Sequence, residues 1–152
     1  MGKVTILFKR LTEDAEPPVK AHDGDAGWDV CAVGKKDFRT GLGPLHCVAY
    51  RTGLAFAVPK GYWLDVRARS SVYKYGTWLS NGVGTLDSGY RGELFGMFYC
   101  YDTVADAYKI GDRIAQLIVQ PALTTDVEFV EVDELPESWD GRGEGGYGST
   151  GR

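Results

Sequence analysis

An all-β sandwich or barrel of short strands is the fold class this sequence predicts. Apolar side chains recur at every second position in several segments, helical periodicity is scarce, and 21 of the 152 residues are glycine, which suits many turns. A chain of this length makes one domain large enough to bury a core, and 43% hydrophobic residues suffice to build one.

Val4, Ile6 and Phe8 alternate and predict the first strand. Leu54, Phe56 and Val58 predict another, which runs into the turn Pro59-Lys60-Gly61 and resumes with Tyr62, Leu64 and Val66. That arrangement predicts a β-hairpin. Further strands are predicted over 93–101, 113–120 and 127–132. The one helix candidate, 71–79, is short and lies between strand-like segments, so a βαβ architecture has little support. Beyond Leu135 the chain is rich in Gly, Ser and charge and has almost no apolar periodicity. The expected organisation is therefore a β-domain over 1–135 and a flexible Gly-rich arm over 136–152.

The formal net charge of −4 argues against a general nucleic-acid binder, because such proteins neutralise phosphates with Lys and Arg. A small anionic substrate can still be held by a local group of arginines. Cys31, Cys47 and Cys100 form an odd set without CxxC spacing, which fits neither a disulfide framework nor a zinc site, and they read as reduced core residues. No segment reads as a signal peptide or a membrane span, and Ile6 breaks the myristoylation pattern. The expectation is a soluble protein of the cytoplasm, or of the host-cell cytoplasm if viral, with no membrane partner.

Five segments carry residues suited to chemistry, and each has a structural alternative. In the tail, Arg142-Gly143-Glu144-Gly145-Gly146-Tyr147-Gly148-Ser149-Thr150-Gly151 offers approachable backbone N–H groups, two hydroxyls and a guanidinium to a polyphosphate. By itself it equally describes a solvated terminus, and it lacks the Gly-Lys-Ser/Thr ending of a Walker A loop. Arg69-Ser70-Ser71 sits where a strand gives way to the helix candidate, a place that suits an anion or a plain N-cap. In Gly84-Thr85-Leu86-Asp87-Ser88-Gly89-Tyr90-Arg91-Gly92-Glu93, a short strand between glycine turns carries Asp87, a carboxylate able to take a proton from water or merely to shape a turn. Ala26-Gly27-Trp28-Asp29-Val30-Cys31-Ala32 and Gly111-Asp112-Arg113-Ile114-Ala115-Gln116-Leu117 each place a carboxylate at the lip of an apolar strand, where an ion pair of small worth is the plainer role.

Taken in order, these five segments resemble the five motifs of the trimeric dUTPase family, and they span positions 26 to 151. The resemblance implies a distorted jelly roll of the β-clip type and a homotrimer with shared active sites. It implies hydrolysis of dUTP to dUMP and pyrophosphate, which limits uracil incorporation into DNA and supplies dUMP for dTMP synthesis. Asp87 would activate the water that attacks the α-phosphorus. Arg69, Ser70, Ser71 and Gln116 would face the phosphates, with Mg²⁺ held chiefly by phosphates and waters and Asp29 reaching it through water. The hairpin over 81–95 would read uracil through Asn81, Gly84, Thr85, Leu86 and Phe95, while Tyr90 packs on the deoxyribose. From the arm, Arg142, Gly146, Gly148, Ser149 and Thr150 would close over the phosphates and Tyr147 would stack on the base.

Two positions depart from the common pattern: Ser71 stands where glycine is frequent, and Tyr147 where phenylalanine is. The Arg-Ser-Ser triplet also occurs in dCTP deaminases of the same fold. Those enzymes place a general-base Glu where this chain has Met97, and a thioether moves no proton. A nucleotide-binding module without turnover is a third alternative, against which Asp87 and the complete arm argue.

Overall fold

The computed structural model describes residues 2–39, 41, 43–101, 108–123 and 126–144. Among them run β1 (Leu7–Arg10), β2 (Trp28–Cys31), β3 (Gly34–Arg39), β4 (Leu45–Ala57), β5 (Tyr62–Ala68), a 3₁₀ helix (Ser70–Tyr75), β6 (Thr77–Leu79), β7 (Gly84–Leu86), β8 (Glu93–Tyr101) and β9 (Arg113–Pro121). The strands form two antiparallel sheets. One has the order β1-β4-β8-β6, with β3 also paired to β4; the other has the order β2-β9-β5-β7. No helix of the described residues is long and apolar enough to cross a membrane.

The alternation in sequence becomes the core between these sheets. Val48, Tyr50, Leu54, Phe56 and Phe98 from one sheet meet Val30, Leu64, Val66, Ile114 and Leu117 from the other. Tyr50 packs edge-on against Phe98 at 5.8 Å and against Tyr108 at 5.6 Å, an arrangement that aromatic quadrupoles favour. Cys100 belongs to this core, whereas Cys31 and Cys47 are half-buried, and all three are free thiols.

The predicted β4–β5 hairpin is not formed. The chain does turn at Pro59, where Tyr62 N–H donates to its carbonyl at 3.2 Å, but β4 and β5 belong to opposite sheets. Alternation records which side chains point inward; it is the same for strands that pair edge to edge and for strands that stack across a core. The first half of β4 was hidden because Arg51, Thr52 and Gly53 break the pattern at a register shift. Gly53 has φ of +66°, and a Cβ there would lie 2.6 Å from Thr12 Oγ1, so glycine is required on both counts.

The helix expected over 71–79 is a single 3₁₀ segment that ends at Gly76 in the left-handed conformation, and its second half is β6 instead. The run 127–132 is exposed and belongs to no strand among the described residues. Exposure there is continuous from Asp126 to Glu144. β1 begins later than the alternation suggested and is an edge strand, pairing Phe8 with Phe56.

Candidate active site

Two cavities gather most of the described candidate residues. The first, about 240 Å³, is lined by Thr85, Leu86, Asp87, Tyr90, Glu93, Leu94 and Phe95. β7 buries Leu86 in the core, turns Thr85 outward, and leaves Asp87 exposed just past the strand end. A tight turn follows, with Tyr90 N–H donating to Asp87 carbonyl at 3.1 Å. Arg91 Nη1 braces it by donating to the carbonyls of Ser88 at 2.6 Å and Tyr90 at 2.8 Å. Tyr90 is 47% exposed, and its phenol donates to the Glu93 carbonyl at 3.1 Å.

The predicted hairpin over 81–95 is instead a crossing between layers: β7 pairs with β5, and β8 pairs with β4 and β6. Asn81 is exposed, its amide nitrogen lies beside Gly84, and neither residue lines the cavity. Gly84 is buried in the ladder opposite Val66, where a Cβ would meet the Val66 Cβ at 3.0 Å.

The second cavity, about 230 Å³, is lined by Ala21, Asp25, Ala26, Gly27, Asp29, Arg69, Ser70 and Gln116. β2 and β9 pair Asp29 with Gln116, and β5 delivers Arg69 and Ser70 to the same place. Asp29, its side chain 15% exposed, accepts from Arg69 Nε at 3.0 Å and from Arg113 Nη1 at 3.2 Å. One carboxylate thus holds two guanidiniums, of which Arg69 alone lines the cavity, beside the carboxylates of Asp25 and Asp29; Arg69 with the polar groups of Ser70 and Gln116 is what the cavity offers an anion. Gln116 Nε2 donates to the Ala68 carbonyl at 3.3 Å, and a Cβ at Gly27 would come within 3.1 Å of Gln116 Oε1.

Two buried hydroxyls on the neighbouring segments, Ser71 Oγ and Tyr108 Oη, have no hydrogen-bond partner among the described residues. Burial, then the neighbouring Tyr75, pushes the Tyr108 phenol up to about 12 against the opposing pull of Arg69. Tyr108 stacks on Tyr75, the last residue of the 3₁₀ segment, at 4.6 Å. Burial first, and then Glu16, raises the Cys31 thiol above its ordinary value.

Both Asp29 oxygens are engaged by arginines, and no group of three or more His, Cys, Asp or Glu side chains among the described residues could cage a metal. A hard divalent cation that keeps its waters and takes most of its ligands from a bound polyphosphate fits this donor set; a protein-made metal centre does not. The two cavities share no lining residue.

Sequence reasoning pointed to Arg69, Ser70, Gln116 and Asp29, which the fold brings together, and to Thr85, Leu86, Asp87, Tyr90 and Phe95, which line the other cavity. It missed the part played by Arg113 on Asp29, and Glu93, which sits inside a quoted motif but has no chemistry-bearing pattern of its own. Arg142 lies in an exposed turn where its N–H donates to Asp140 Oδ1 at 3.0 Å and Gly143 N–H to Ser138 Oγ at 2.8 Å. Gly146, Tyr147, Gly148, Ser149 and Thr150 lie outside the described residues.

Comparison with known proteins gives the family. A dUTPase family profile matches residues 13–151. The deoxyuridine 5'-triphosphate nucleotidohydrolase of Thermobifida fusca is 42% identical over 153 aligned residues, covering 99% of this chain and 80% of the relative. That of Zymomonas mobilis is 40% identical, covering 98% of this chain and 99% of the relative. Among solved structures, a Staphylococcus bacteriophage 80alpha dUTPase bound to dUpNHpp superposes with a TM-score of 0.77 at 27% identity, covering 97% of this chain and 99% of the other.

Proposed function

This chain belongs to the dUTPase family and is a dUTP diphosphatase, and we propose that it works by Asp87-activated attack of water on the α-phosphorus. The observation that carries this mechanism is the pairing of an exposed carboxylate, at the lip of a nucleoside-sized cavity, with a separate cavity where Arg69, Ser70 and Gln116 converge beside Asp29. Asp87 takes a proton from water as the water oxygen bonds to the α-phosphorus. The bond from that phosphorus to the bridging oxygen breaks, and pyrophosphate leaves carrying the electron pair. Arg69, Ser70 and Gln116 hold the departing phosphates, where cationic and N–H donors oppose the growing charge. Asp29 would hold Mg²⁺ through water, and the ion would there supply further charge compensation.

In the first cavity, Tyr90 packs on the sugar so that a 2′-hydroxyl clashes, while main-chain groups around Thr85, Leu86 and Phe95 meet the uracil edge. Cytosine would leave buried polar groups unpaired at a cost of roughly 1–3 kcal/mol each. From the arm, Arg142, Gly146, Gly148, Ser149 and Thr150 close over the phosphates and Tyr147 stacks on the base, excluding bulk water.

We also infer a homotrimer whose active sites combine residues of different copies. The disjoint lining of the two cavities supports this. So does the run 127–132, which has strand-like composition, exposes Val127, Phe129, Val130 and Val132, and belongs to no strand among the described residues. In the cell such an enzyme would hold dUTP low and supply dUMP.

The test is pyrophosphate release from dUTP, dCTP, dTTP and UTP with Mg²⁺ and with a chelator, together with ammonia release from dCTP. Fast, Mg²⁺-dependent turnover of dUTP alone is expected. Binding of dUTP without turnover, or ammonia release at a comparable rate, would overturn the proposal.

A further inference from the structure

We infer that Glu93, clamped by Arg51 and Gly53, is a positioning residue that sets the plane of the Tyr90 ring and thereby the discrimination between deoxyribose and ribose. This rests on the reading that the first cavity receives deoxyuridine. Tyr90 is tied down at both ends: its N–H donates to the Asp87 carbonyl at 3.1 Å and its phenol to the Glu93 carbonyl at 3.1 Å. Between those points the ring lies across Gly92, where a Cβ would come within 2.3 Å of Tyr90 Oη and 2.5 Å of Cζ. No side chain fits at that position without expelling the ring. The ring can therefore be no better placed than the Glu93 carbonyl.

Glu93 is fixed through its side chain, which is only 13% exposed. Its Oε1 accepts from Gly53 N–H at 2.9 Å, and its carboxylate accepts from Arg51 Nε at 3.2 Å to each oxygen and from Nη2 at 3.2 Å. Gly53 and Arg51 belong to the irregular stretch of β4, where the register with β8 shifts and Ala55 comes opposite Glu93. A forked guanidinium and a main-chain N–H on one carboxylate restrain it far better than a single bond would. The irregularity in β4 is thus connected, through Glu93, to the sugar-facing ring. Arg51 itself does not line the cavity.

A purely structural clamp would, when loosened, lower activity on every nucleotide alike. A positioning clamp would release the ring and admit the 2′-hydroxyl. The experiment is kcat/KM for dUTP and for UTP with Mg²⁺, on the full chain and on Arg51→Met, Glu93→Gln and Gly92→Ala, each first checked for a native melting transition. Hydrophobic contacts reject an added hydroxyl only by about a hundredfold, so the dUTP-to-UTP ratio is expected to fall about tenfold in each variant. Tyr90→Phe, which keeps the ring and loses only its anchor, should fall in the same direction. A ratio within about twofold of the unaltered chain in Arg51→Met and Tyr90→Phe, or an equal loss on both nucleotides, would overturn the inference. If the unaltered chain releases no pyrophosphate from dUTP, the proposed function fails separately. Calorimetric binding of dUMP against UMP then decides the clamp: a narrowed preference in the variants supports it, and an unchanged preference or no binding overturns it.

Discussion

The two cavities are built in opposite ways. The one that carries Asp87 comes from a single stretch of eleven residues, 85–95, whose turn is closed by its own main chain and by Arg91. The arginine-lined cavity is assembled from three stretches, 21–29, 69–70 and 116, and held together by ion pairs on Asp29. Local closure makes the lining of the first cavity continuous in the chain, although Glu93 is braced from β4 by Arg51 and Gly53; assembly at a distance gives charge density that depends on each contributor. The first arrangement suits recognition of a base and sugar, and the second suits an anion whose charge shifts during reaction.

The largest effect should come from the carboxylate at the lip of the locally closed cavity. Asp87→Asn is expected to lower kcat by roughly 10²–10⁴-fold while dUTP binding, followed by calorimetry, stays near that of the unaltered chain. Turnover at the original rate would show that the water is activated elsewhere. Next comes the assembled cavity, where Arg69→Ala should raise KM for dUTP about tenfold to a hundredfold, as loss of a charge-assisted hydrogen bond does. Binding of deoxyuridine, which carries no phosphate, should be unchanged; a parallel loss would mean that the two cavities are not independent.

A smaller effect concerns the buried Tyr108 phenol, which feels the charge of Arg69. Tyr108 titrates at about 12 in the folded chain, above the ordinary tyrosine value near 10, so the folded state holds its proton more tightly than the unfolded one. The associated stability is present below about pH 10 and is lost as pH rises through about 12. Chemical denaturation across that range should show the decline, and Tyr108→Phe should flatten it. The smallest effect is at Ser71, whose buried hydroxyl has no partner. Ser71→Ala is expected to raise stability by about 1 kcal/mol by removing that desolvated group, with KM within about twofold of the original. A large rise in KM would instead assign the hydroxyl to the phosphates and sharpen the contrast with Ser70, which faces the cavity directly.

Legibility in the sequence followed the same division. Strand β5 was readable because Tyr62, Leu64 and Val66 recur at every second position, and β8 because its buried side chains alternate; β9, where Ile114 and Ala115 are both buried, was readable as an apolar run. β3 and β6 were not, since Gly34–Arg39 is polar along most of its length and Thr77–Leu79 is too short to show a period. The loop bearing Asp87 was readable as one motif because its neighbours in space are its neighbours in the chain. Asn81 was carried along by sequence proximity, yet it lies outside the cavity lining because the strand leaving it pairs with β5 and not with β8.

By itself the sequence determined that the chain is all-β, that Leu54, Phe56, Val58, Leu64 and Val66 enter the core, and where the carboxylate loop and the arginine-serine segment lie. Those properties depend on the inward or outward sense of each residue and on turn chemistry, both of which are local. Only the tertiary structure decided that Pro59 marks a corner between sheets and not a hairpin. It alone brought Arg69 and Arg113 onto one carboxylate 40 and 84 positions away, and set Glu93 against Arg51 across a strand shift. Cross-strand partners follow from how two twisted sheets pack over a shared core, and a residue's own neighbours in the chain carry no record of that packing.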